Sequence, residues 1–352
     1  MSTINKHNLL ITIGFFLSLA GCTQTIKTDR NPEAAVSTAA DFNEPALPFV
    51  PGSWTLVILP DTQTYCSQFP GLFDLQTQWI IDNKEKYNIT FVLQTGDITD
   101  YNTNLEWQRA DRALGRLDSV VPYAIVTGNH DYGSKDNMAK DRTTRINDYF
   151  PPSRFESRPT FSGVETNGRI ENNYHLFEAG GKKWLIIGLE WGPRDETLQW
   201  ANQILRKFPQ RHAIIITHAY LYSDSTLYDW REKGKEQKWN PHSYGTKGGV
   251  NDGRQIWDKL VRGNANVFMV INGHVLNDGL GFLTSTADNG NQVYQMLVNF
   301  QMRPLGGESW LRLLEFLPDG ETIQVKTYCP LYEKYETGPE SQFVIKYNLS
   351  SS

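Results

Sequence analysis

The stretch "PYAIVTGNHDYG", residues 122–133, joins a short apolar run to a cluster of polar side chains. Residues 122–128 have the composition of a buried strand. Asn129, His130 and Asp131 follow it at once. Three polar side chains at the end of a buried strand are costly to hold together unless they serve a purpose. This stretch therefore indicates a functional site at the end of a strand.

The same arrangement recurs at four other predicted strand ends. These are Asp61 after "WTLVIL" (54–59), Asp97 after "FVLQTG" (91–96), His218 at the end of "HAIIITH" (212–218) and His274 after "NVFMVING" (266–273). In open α/β sheets, ligands bind outside the carboxyl ends of the strands. We therefore expect these five strand ends to converge on one site although they are far apart in the chain.

The order of predicted elements supports a layered α/β fold. The predicted helices are 75–87, 105–118, 195–208 and 252–263, and further strands are predicted at 183–191, 291–301, 310–317 and 321–329. Strands and helices alternate until the last three strands, which follow one another directly. This order predicts an α/β domain with an antiparallel tail.

Taken together, the motifs resemble those of the calcineurin-like metallophosphoesterase superfamily. They are "DTQ" (61–63), "GDITD" (96–100), "GNHD" (128–131), the later His218 and "GHVL" (273–276). Within the superfamily the chain is similar to the secreted bacterial branch that carries D-T-Q in its first motif. The resemblance covers most of the chain from Trp54 to the final strands. It implies a four-layer α/β/β/α sandwich with two mixed sheets and a two-metal site at one edge.

The resemblance also implies a role for most of the polar motif residues. Asp97 would bridge the two metals. Asp61 and Gln63 would bind the first metal, and Asn129, His218 and His274 the second. Two cations about 3.5–4 Å apart can bind phosphoryl oxygens and activate a water for attack on phosphorus. His130 would protonate the leaving oxygen as general acid, and Asp100 would orient this histidine and favour its charged form.

Two residues depart from the superfamily pattern. Gln63 replaces a histidine, and Leu276 replaces the second histidine of G-H-x-H. Both changes weaken the first metal site. Asn277 and Asp278 could supply an oxygen there, or they could simply form a turn. The resemblance implies two divalent ions, which could be Mn, Fe, Zn, Mg or Ca. The first site is rich in oxygen ligands, so it would prefer Mn, Mg or Ca, or it would be only partly occupied.

The N-terminal region has the features of an exported lipoprotein. Residues 9–20 are apolar but short, and they end in Leu19-Ala20-Gly21-Cys22. These four residues resemble the lipobox of bacterial lipoproteins, which implies cleavage before Cys22 and lipidation of its thiol. We expect a signal peptide over 1–22, a flexible tether over 23–50 and the catalytic domain over 51–348. The resemblance implies an outer-membrane lipoprotein facing the periplasm or the cell surface, with a plain cleaved signal as the alternative.

Other features of the chain give weaker indications. Export permits a disulfide between Cys66 and Cys329, with two buried thiols as the alternative. The segment 219–251 is rich in aromatic residues, and its His242 could meet a substrate phosphate, as could Arg303 near 302–310. The alternative for 219–251 is a surface loop packed on the domain.

The net charge of -5 gives no indication of a nucleic-acid-binding surface. We therefore expect a metal-dependent phosphoesterase anchored to the cell envelope, acting on a phosphorylated small molecule or envelope component. A monoester phosphatase for nucleotides or sugar phosphates is one alternative. A non-catalytic lipoprotein that binds a phosphorylated or glycan ligand through a degenerate site is the other.

Overall fold

The computed structural model describes residues 45–348. The first strands are β1 (Trp54–Leu59), β2 (Ile89–Gln94), β3 (Tyr123–Ile125), β4 (Phe161–Val164), β5 (Asn173–Ala179), β6 (Lys182–Gly188) and β7 (His212–Ile216). The later strands are β8 (Val267–Asn272), β9 (Leu280–Thr286), β10 (Gln292–Val298), β11 (Leu311–Phe316), β12 (Thr322–Cys329), β13 (Lys334–Glu336) and β14 (Phe343–Lys346). The helices are α1 (Gln63–Ser67), α2 (Pro70–Asn83), α3 (Asn104–Gly115), α4 (Ile146–Tyr149), α5 (Asp195–Lys207) and α6 (Gly253–Ile256), and α6 continues as a π-helical segment over Trp257–Val261.

The strands form two sheets of seven strands each. The first has the order β13-β12-β11-β1-β2-β3, with β14 also paired to β12, and the second has the order β4-β5-β6-β7-β8-β10-β9. Strands β1, β2 and β3 run parallel, as do β6, β7, β8 and β10. Each sheet is therefore mixed, with a parallel centre whose strand ends can gather at one edge.

Three apolar clusters show how the layers pack. One cluster joins residues of both sheets, such as Leu56, Ile186 and Leu314, and lies between them. A second packs α5 and α6 on the outer face of the second sheet, and a third packs α1, α2 and α3 on the first sheet. The four layers are thus helix, sheet, sheet and helix, which confirms the predicted fold class.

Several helices and strands of the structure differ from those predicted from the sequence. Helix α2 begins at Pro70 rather than at residue 75, because proline is favourable in the first turn of a helix. Strands β4, β5 and β9 fall in segments for which no element was predicted. Strand β5, "NYHLFEA", mixes polar and apolar residues on a partly covered part of the sheet, so its period was not evident.

Residues 45–50 belong to the folded body, which corrects the predicted tether boundary. Leu47 N donates to Gln342 Oε1 at 2.7 Å, and Val50 N donates to Glu315 Oε1 at 2.7 Å. The ring of Phe49 packs edge-on against Tyr87. These contacts hold the segment against the first sheet. The predicted signal peptide, Cys22 and the rest of the tether lie outside the described residues.

Within residues 45–348, no helix is long and apolar enough to cross a bilayer.

Candidate metal centre

Asp97 lies at the centre of the site, in a tight loop directly after β2. The side-chain amide of Gln94 closes this loop by bonding both the N–H and the C=O of Gly96 at 2.8 and 2.9 Å. Asp97 itself has a φ of +46°, a left-handed conformation that is uncommon for residues other than glycine. This loop turns the carboxylate toward the edge where the parallel strands of both sheets end.

His218 and His274 follow β7 and β8 and approach Asp97 from the second sheet. His218 Nδ1 donates to the carbonyl of Thr95 at 2.9 Å, and its Nε2 lies 3.1 Å from Asp97 Oδ2. His274 Nε2 donates to the carbonyl of Trp239 at 2.8 Å, which leaves Nδ1 as its ligand atom. One ligand atom from each of Asp97, His218 and His274 can be chosen so that all lie within 4.8 Å of one another. This spacing suits a metal ion.

Three further predicted ligands bring buried oxygens without a hydrogen-bond partner in the described part of the chain. These are Asp61 Oδ1, Gln63 Oε1 and Asn129 Oδ1. An unpartnered buried oxygen is costly, and native proteins have few of them unless an ion or water satisfies the group. Together with the Asp/His cluster, these hard oxygen donors suit divalent metal ions.

Glycines in two of the motifs make room for the carboxylates. A Cβ placed on Gly128 would lie 2.0 Å from Asp97 Oδ1, and one on Gly273 would lie 2.0 Å from Asp61 Oδ1. The main chain also meets these carboxylates directly, since His130 N donates to Asp97 Oδ1 and His274 N donates to Asp61 Oδ2, both at 2.9 Å. The glycines of "GNHD" and "GHVL" are therefore required by close approach of backbone to carboxylate.

His130 and Asp100 form the predicted acid pair at the rim of the site. The Nδ1 atom of His130 is 3.1 Å from Asp100 Oδ1, and the ring is partly exposed at 23%. Burial lowers the His130 pKa, but the Asp97 charge and the hydrogen bonds and charge of Asp100 outweigh it and raise the pKa to about 9. The imidazole is thus held in its protonated form at neutral pH, as an acid requires.

Burial and mutual charge set the other pKa values of the cluster. Burial raises the pKa of Asp61 to about 8. For Asp97, burial opposes ionisation, but the charges of His218 and His130 hold its pKa below the usual range. Burial also opposes the charge on His218, yet Asp97 and Asp61 raise its pKa to about 9. Burial and the His218 charge lower the pKa of His274 to about 3.

Asp131 is a functional residue that the sequence interpretation left without a role. Its fully buried carboxylate accepts from the backbone N–H groups of Ile98, Thr99 and Gly128 at 3.1, 2.8 and 2.9 Å. It also accepts from the hydroxyl of Thr99 at 2.9 Å. Asp131 therefore ties the Asp97 loop to the loop that carries Asn129 and His130. Its place as the last residue of "GNHD" was the signal that could have identified it.

Asn299 is a second missed residue, and no sequence motif marked it. It lies directly after β10, and its Nδ2 donates to Asp61 Oδ2 at 3.0 Å and to the carbonyl of Val275 at 3.2 Å. It thus links the first metal's predicted ligand Asp61 to the loop after β8.

The predicted accessory ligands Asn277 and Asp278 are exposed in the structure. Asn277 Nδ2 donates to Ser223 Oγ at 2.9 Å, and Asp278 Oδ1 accepts from Leu280 N at 3.2 Å. Both contacts are those of a surface turn, which was the alternative given for this pair. No contact of either side chain with a predicted ligand is seen in the described residues, and their role at the metal stays a prediction.

The two predicted substrate-binding residues have other partners in the structure. His242 Nε2 donates to Gln255 Oε1 at 2.7 Å. The Arg303 guanidinium pairs with Glu336 at 2.7 Å and lies over the rings of Phe300 and Trp310. These contacts give Arg303 a structural role, and substrate contact by either residue stays a prediction.

Within residues 45–348, Cys66 and Cys329 are buried free thiols, so the disulfide prediction is wrong for this structure. Cys66 packs with the helices on the first sheet, whereas Cys329 packs between the sheets. The Cys329 thiol donates instead to the carbonyl of Glu308 at 3.0 Å. Burial raises the pKa of both thiols, which keeps them in the unreactive thiol form.

The aromatic segment 219–251 packs over the histidine side of the site. Tyr244 lies 6.2 Å from the His274 ring between centroids, and Tyr228 lies 6.1 Å from it. Trp191, from the loop after β6, is closer at 5.0 Å. Tyr228 and Trp191 are buried and Tyr244 is partly buried, whereas the Trp239 indole is exposed and its backbone carbonyl holds His274. The segment therefore combines packing on the domain with direct support of a predicted ligand.

Comparison with known proteins gives a family and distant relatives. Residues 55–278 match the family of calcineurin-like phosphoesterases. The chain is 32% identical over 309 residues to the uncharacterized protein YvnB of Bacillus subtilis (strain 168), which is 84% of this chain and 22% of that protein. It is 28% identical over 144 residues to a probable glycerophosphodiester phosphodiesterase, GpdQ, of Arcobacter nitrofigilis, which is 39% of this chain and 44% of that protein. The chain therefore spans less than half the length of these two relatives.

Among solved structures, the purple acid phosphatase PPD1 from yellow lupin seeds is similar, with a TM-score of 0.49 and 15% identity. The similarity covers 87% of this chain and 56% of that chain.

Proposed function

The chain belongs to the calcineurin-like phosphoesterase family, and from this premise we propose that it hydrolyses phosphate esters at a two-metal centre built around Asp97. The observation that carries the proposal is the set of buried oxygens of Asp61, Gln63 and Asn129 that have no partner in residues 45–348. Hydrogen bonds tie the segments that carry these oxygens to the cluster of Asp97, His218 and His274, from His274 N to Asp61 Oδ2, from Thr62 N to the Asp97 carbonyl and from His130 N to Asp97 Oδ1. Such a donor set suits cations. When bound, two divalent ions would neutralise phosphoryl oxygens and lower the pKa of a coordinated water.

The protein's own residues would divide the remaining work. Thr95 and Trp239 fix the two metal-binding imidazoles through their backbone carbonyls. His130, kept protonated by Asp97 and Asp100, would donate a proton from Nε2 to the leaving oxygen. Its partly exposed ring at the rim suits contact with the leaving half of a substrate.

The substrate class proposed is a phosphate diester with an alcohol leaving group. Support comes from the probable glycerophosphodiester phosphodiesterase among the relatives, whose similarity covers 39% of this chain. A general acid also helps most when the leaving group is a poorly acidic alcohol. Attachment to the cell envelope through lipidated Cys22 is part of the same proposal, supported by the lipobox-like residues 19–22.

A paired substrate and metal experiment tests the proposal. Purified chain, stripped of metal and supplied with Mn²⁺, should hydrolyse bis(4-nitrophenyl) phosphate faster than 4-nitrophenyl phosphate. Asp97→Asn should abolish turnover, while Asp82→Asn, which changes an exposed carboxylate of α2, should leave it intact. A wild-type protein that binds Mn²⁺ but cleaves neither ester would favour the non-catalytic binding alternative. Faster cleavage of the monoester would favour the phosphatase alternative.

The anchoring proposal has its own test. In a bacterial host with lipoprotein processing, the full chain should partition with membranes, and Cys22→Ala should release it or block its processing. Equal partition of both forms would contradict lipid anchoring.

A further inference from the structure

In the superfamily pattern a histidine that binds the first metal stands where this chain has Leu276. Leucine offers no donor atom, and the neighbouring Asn277 and Asp278 side chains face solvent. Residues that follow β10, the strand next to β8, could supply a ligand instead. β10 runs parallel to β8, with Leu297 opposite Asn272. The carboxyl end of β10 therefore emerges beside the loop that carries His274.

Asn299 fixes the first residues after β10 against the metal centre. It is 2% exposed, and besides its bonds to Asp61 Oδ2 and the Val275 carbonyl it accepts from Gln301 N at 2.9 Å through Oδ1. Its own N–H donates to the carbonyl of Gly279 at 2.7 Å. A residue bonded on all sides in this way places the chain at Gln301 with little freedom.

Gln301 lies in a short segment between two contacts with the residues around Asp61 and Gln63, the predicted ligands of the first metal. The first contact is Asn299 with Asp61. The second follows at residues 306–309, where Gly306 packs directly on Thr64 and Ser309 N donates to the Tyr65 hydroxyl at 2.9 Å. Thr64 directly follows Gln63 in α1.

The Gln301 side chain has an oxygen to offer. Its Oε1 is buried and, within the described residues, has no hydrogen-bond partner. Gln63 Oε1 and Asp61 Oδ1 are in the same condition. Carboxylate and amide oxygens in this condition are ligands that a hard cation accepts.

We propose that Gln301 supplies an amide oxygen to the first metal in place of the histidine that Leu276 removes, with Asn299 as its positioning residue. The first site then takes its oxygens from Asp61, Gln63, Asp97 and Gln301, and it contains no imidazole. Such a site prefers a hard cation such as Mn²⁺ over Zn²⁺. The inference rests on the proposed two-metal function and specifies its first site.

Metal binding by the full chain tests this without reference to turnover. Mn²⁺ is titrated into metal-free protein by calorimetry, and bound Mn²⁺ is counted by mass spectrometry after gel filtration. Wild type should bind two ions per chain. Gln301→Leu should keep the ion held by the histidines and weaken the other by roughly tenfold or more. Gln301→Glu retains an oxygen at the same reach and should bind two ions.

The chain offers a matched control in Gln324 of β12. Its Oε1 is also buried and without a partner in the described residues, but it lies on the first sheet among residues of the antiparallel tail. Gln324→Leu should bind two ions with unchanged affinity. Circular dichroism verifies that each variant is folded. If Gln301→Leu does not fold, Gln301→Asn, which keeps the amide but shortens it, should show the same weakening of one ion.

The outcomes separate this inference from the proposed function. Unchanged binding of two ions by Gln301→Leu, or by Gln301→Asn where that variant is used, overturns the role of Gln301. Binding of only one ion by the wild type overturns it as well. Two ions bound by the wild type, one by the variant and no ester hydrolysis by either would support the inference and contradict the proposed function.

Discussion

His130 Nδ1 lies 3.1 Å from Oδ1 of Asp100 and 2.9 Å from the carbonyl oxygen of the same residue. Two oxygens of one residue thus hold one ring nitrogen. The other nitrogen, Nε2, is turned toward the metal centre and lies 4.0 Å from Asp97 Oδ2. The proton that would be given to a leaving group therefore resides on Nε2, next to the carboxylate predicted to bridge the metals.

This geometry predicts a leaving-group dependence. His130→Ala should slow hydrolysis of an alkyl phosphodiester by about 10²–10⁴-fold, because a poor leaving group needs protonation. The same change should affect a 4-nitrophenyl ester much less, since nitrophenolate leaves without a proton. Steady-state kinetics on the two substrates measure the difference. An equal loss on both would contradict the acid role.

Asp100→Asn should change the pH profile rather than remove the acid. The variant keeps the backbone carbonyl bond to His130 but loses the charge that helps raise the His130 pKa to about 9. The acid is active while protonated, so the alkaline limb of the rate profile should move to lower pH. A profile of kcat against pH for the alkyl ester measures the shift. An unmoved alkaline limb would show that Asp100 does not set the His130 pKa.

Asp131 is expected to stabilise the site and the fold together. Asp131→Ala leaves three backbone N–H groups of buried loops without their acceptor, which should cost on the order of 3 kcal/mol or more in free energy of unfolding. Asp136→Ala, an exposed neighbour, should change stability little. Urea unfolding followed by circular dichroism compares the two. A loss below about 1 kcal/mol for Asp131→Ala would contradict its role as a tie between the loops.

The convergence at the metal centre was predictable because the signal is local. Asp61, Asp97 and His218 each stand two or three residues past a strand that could be recognised by its apolar run. The carboxyl ends of parallel strands meet by geometry, so no knowledge of long-range contacts was needed.

The parts that could not be predicted depend on contacts between distant segments. Asn299 binds Asp61 across 238 positions of sequence, and Trp239 holds His274 only through its backbone carbonyl, which leaves no mark in the residue type. The pairing of Cys66 and Cys329 failed for a related reason. Cys66 lies in α1 and Cys329 ends β12, but the two residues pack in different layers, and only the tertiary structure reveals this.

Metal binding should release protons. In the metal-free protein His218 has a pKa of about 9 and Asp61 a pKa of about 8, so both hold a proton at pH 6.5. Metal ligands must be deprotonated, and the affinity for Mn²⁺ should therefore rise with pH up to about 8, roughly tenfold per pH unit for each proton released. Calorimetry in buffers of different ionisation enthalpy counts the protons.

A histidine variant provides the control for proton release. His274 has a pKa of about 3 and is neutral before the metal binds. His274→Ala should therefore weaken binding but leave the number of released protons unchanged. Binding that is independent of pH between 6 and 8 would contradict the protonation states assigned to His218 and Asp61.

His175 should make the protein sensitive to acid independently of the metal site. It is buried in β5, donates from Nε2 to Asn173 Oδ1 at 3.2 Å, and burial lowers its pKa to about 3 from the usual 6.5. As the pH falls, the unfolded chain therefore binds a proton at this histidine before the folded protein does. The contribution of His175 to the free energy of unfolding is fully present above pH 6.5. It is lost as the pH falls toward 3, by up to about 1.4 kcal/mol per pH unit. His175→Gln, which keeps a donor, should make the fall in unfolding free energy between pH 6.5 and 4 shallower than in wild type. His242→Gln, changed at a partly exposed position, should follow the wild-type curve, and parallel curves for His175→Gln and wild type would contradict the assignment.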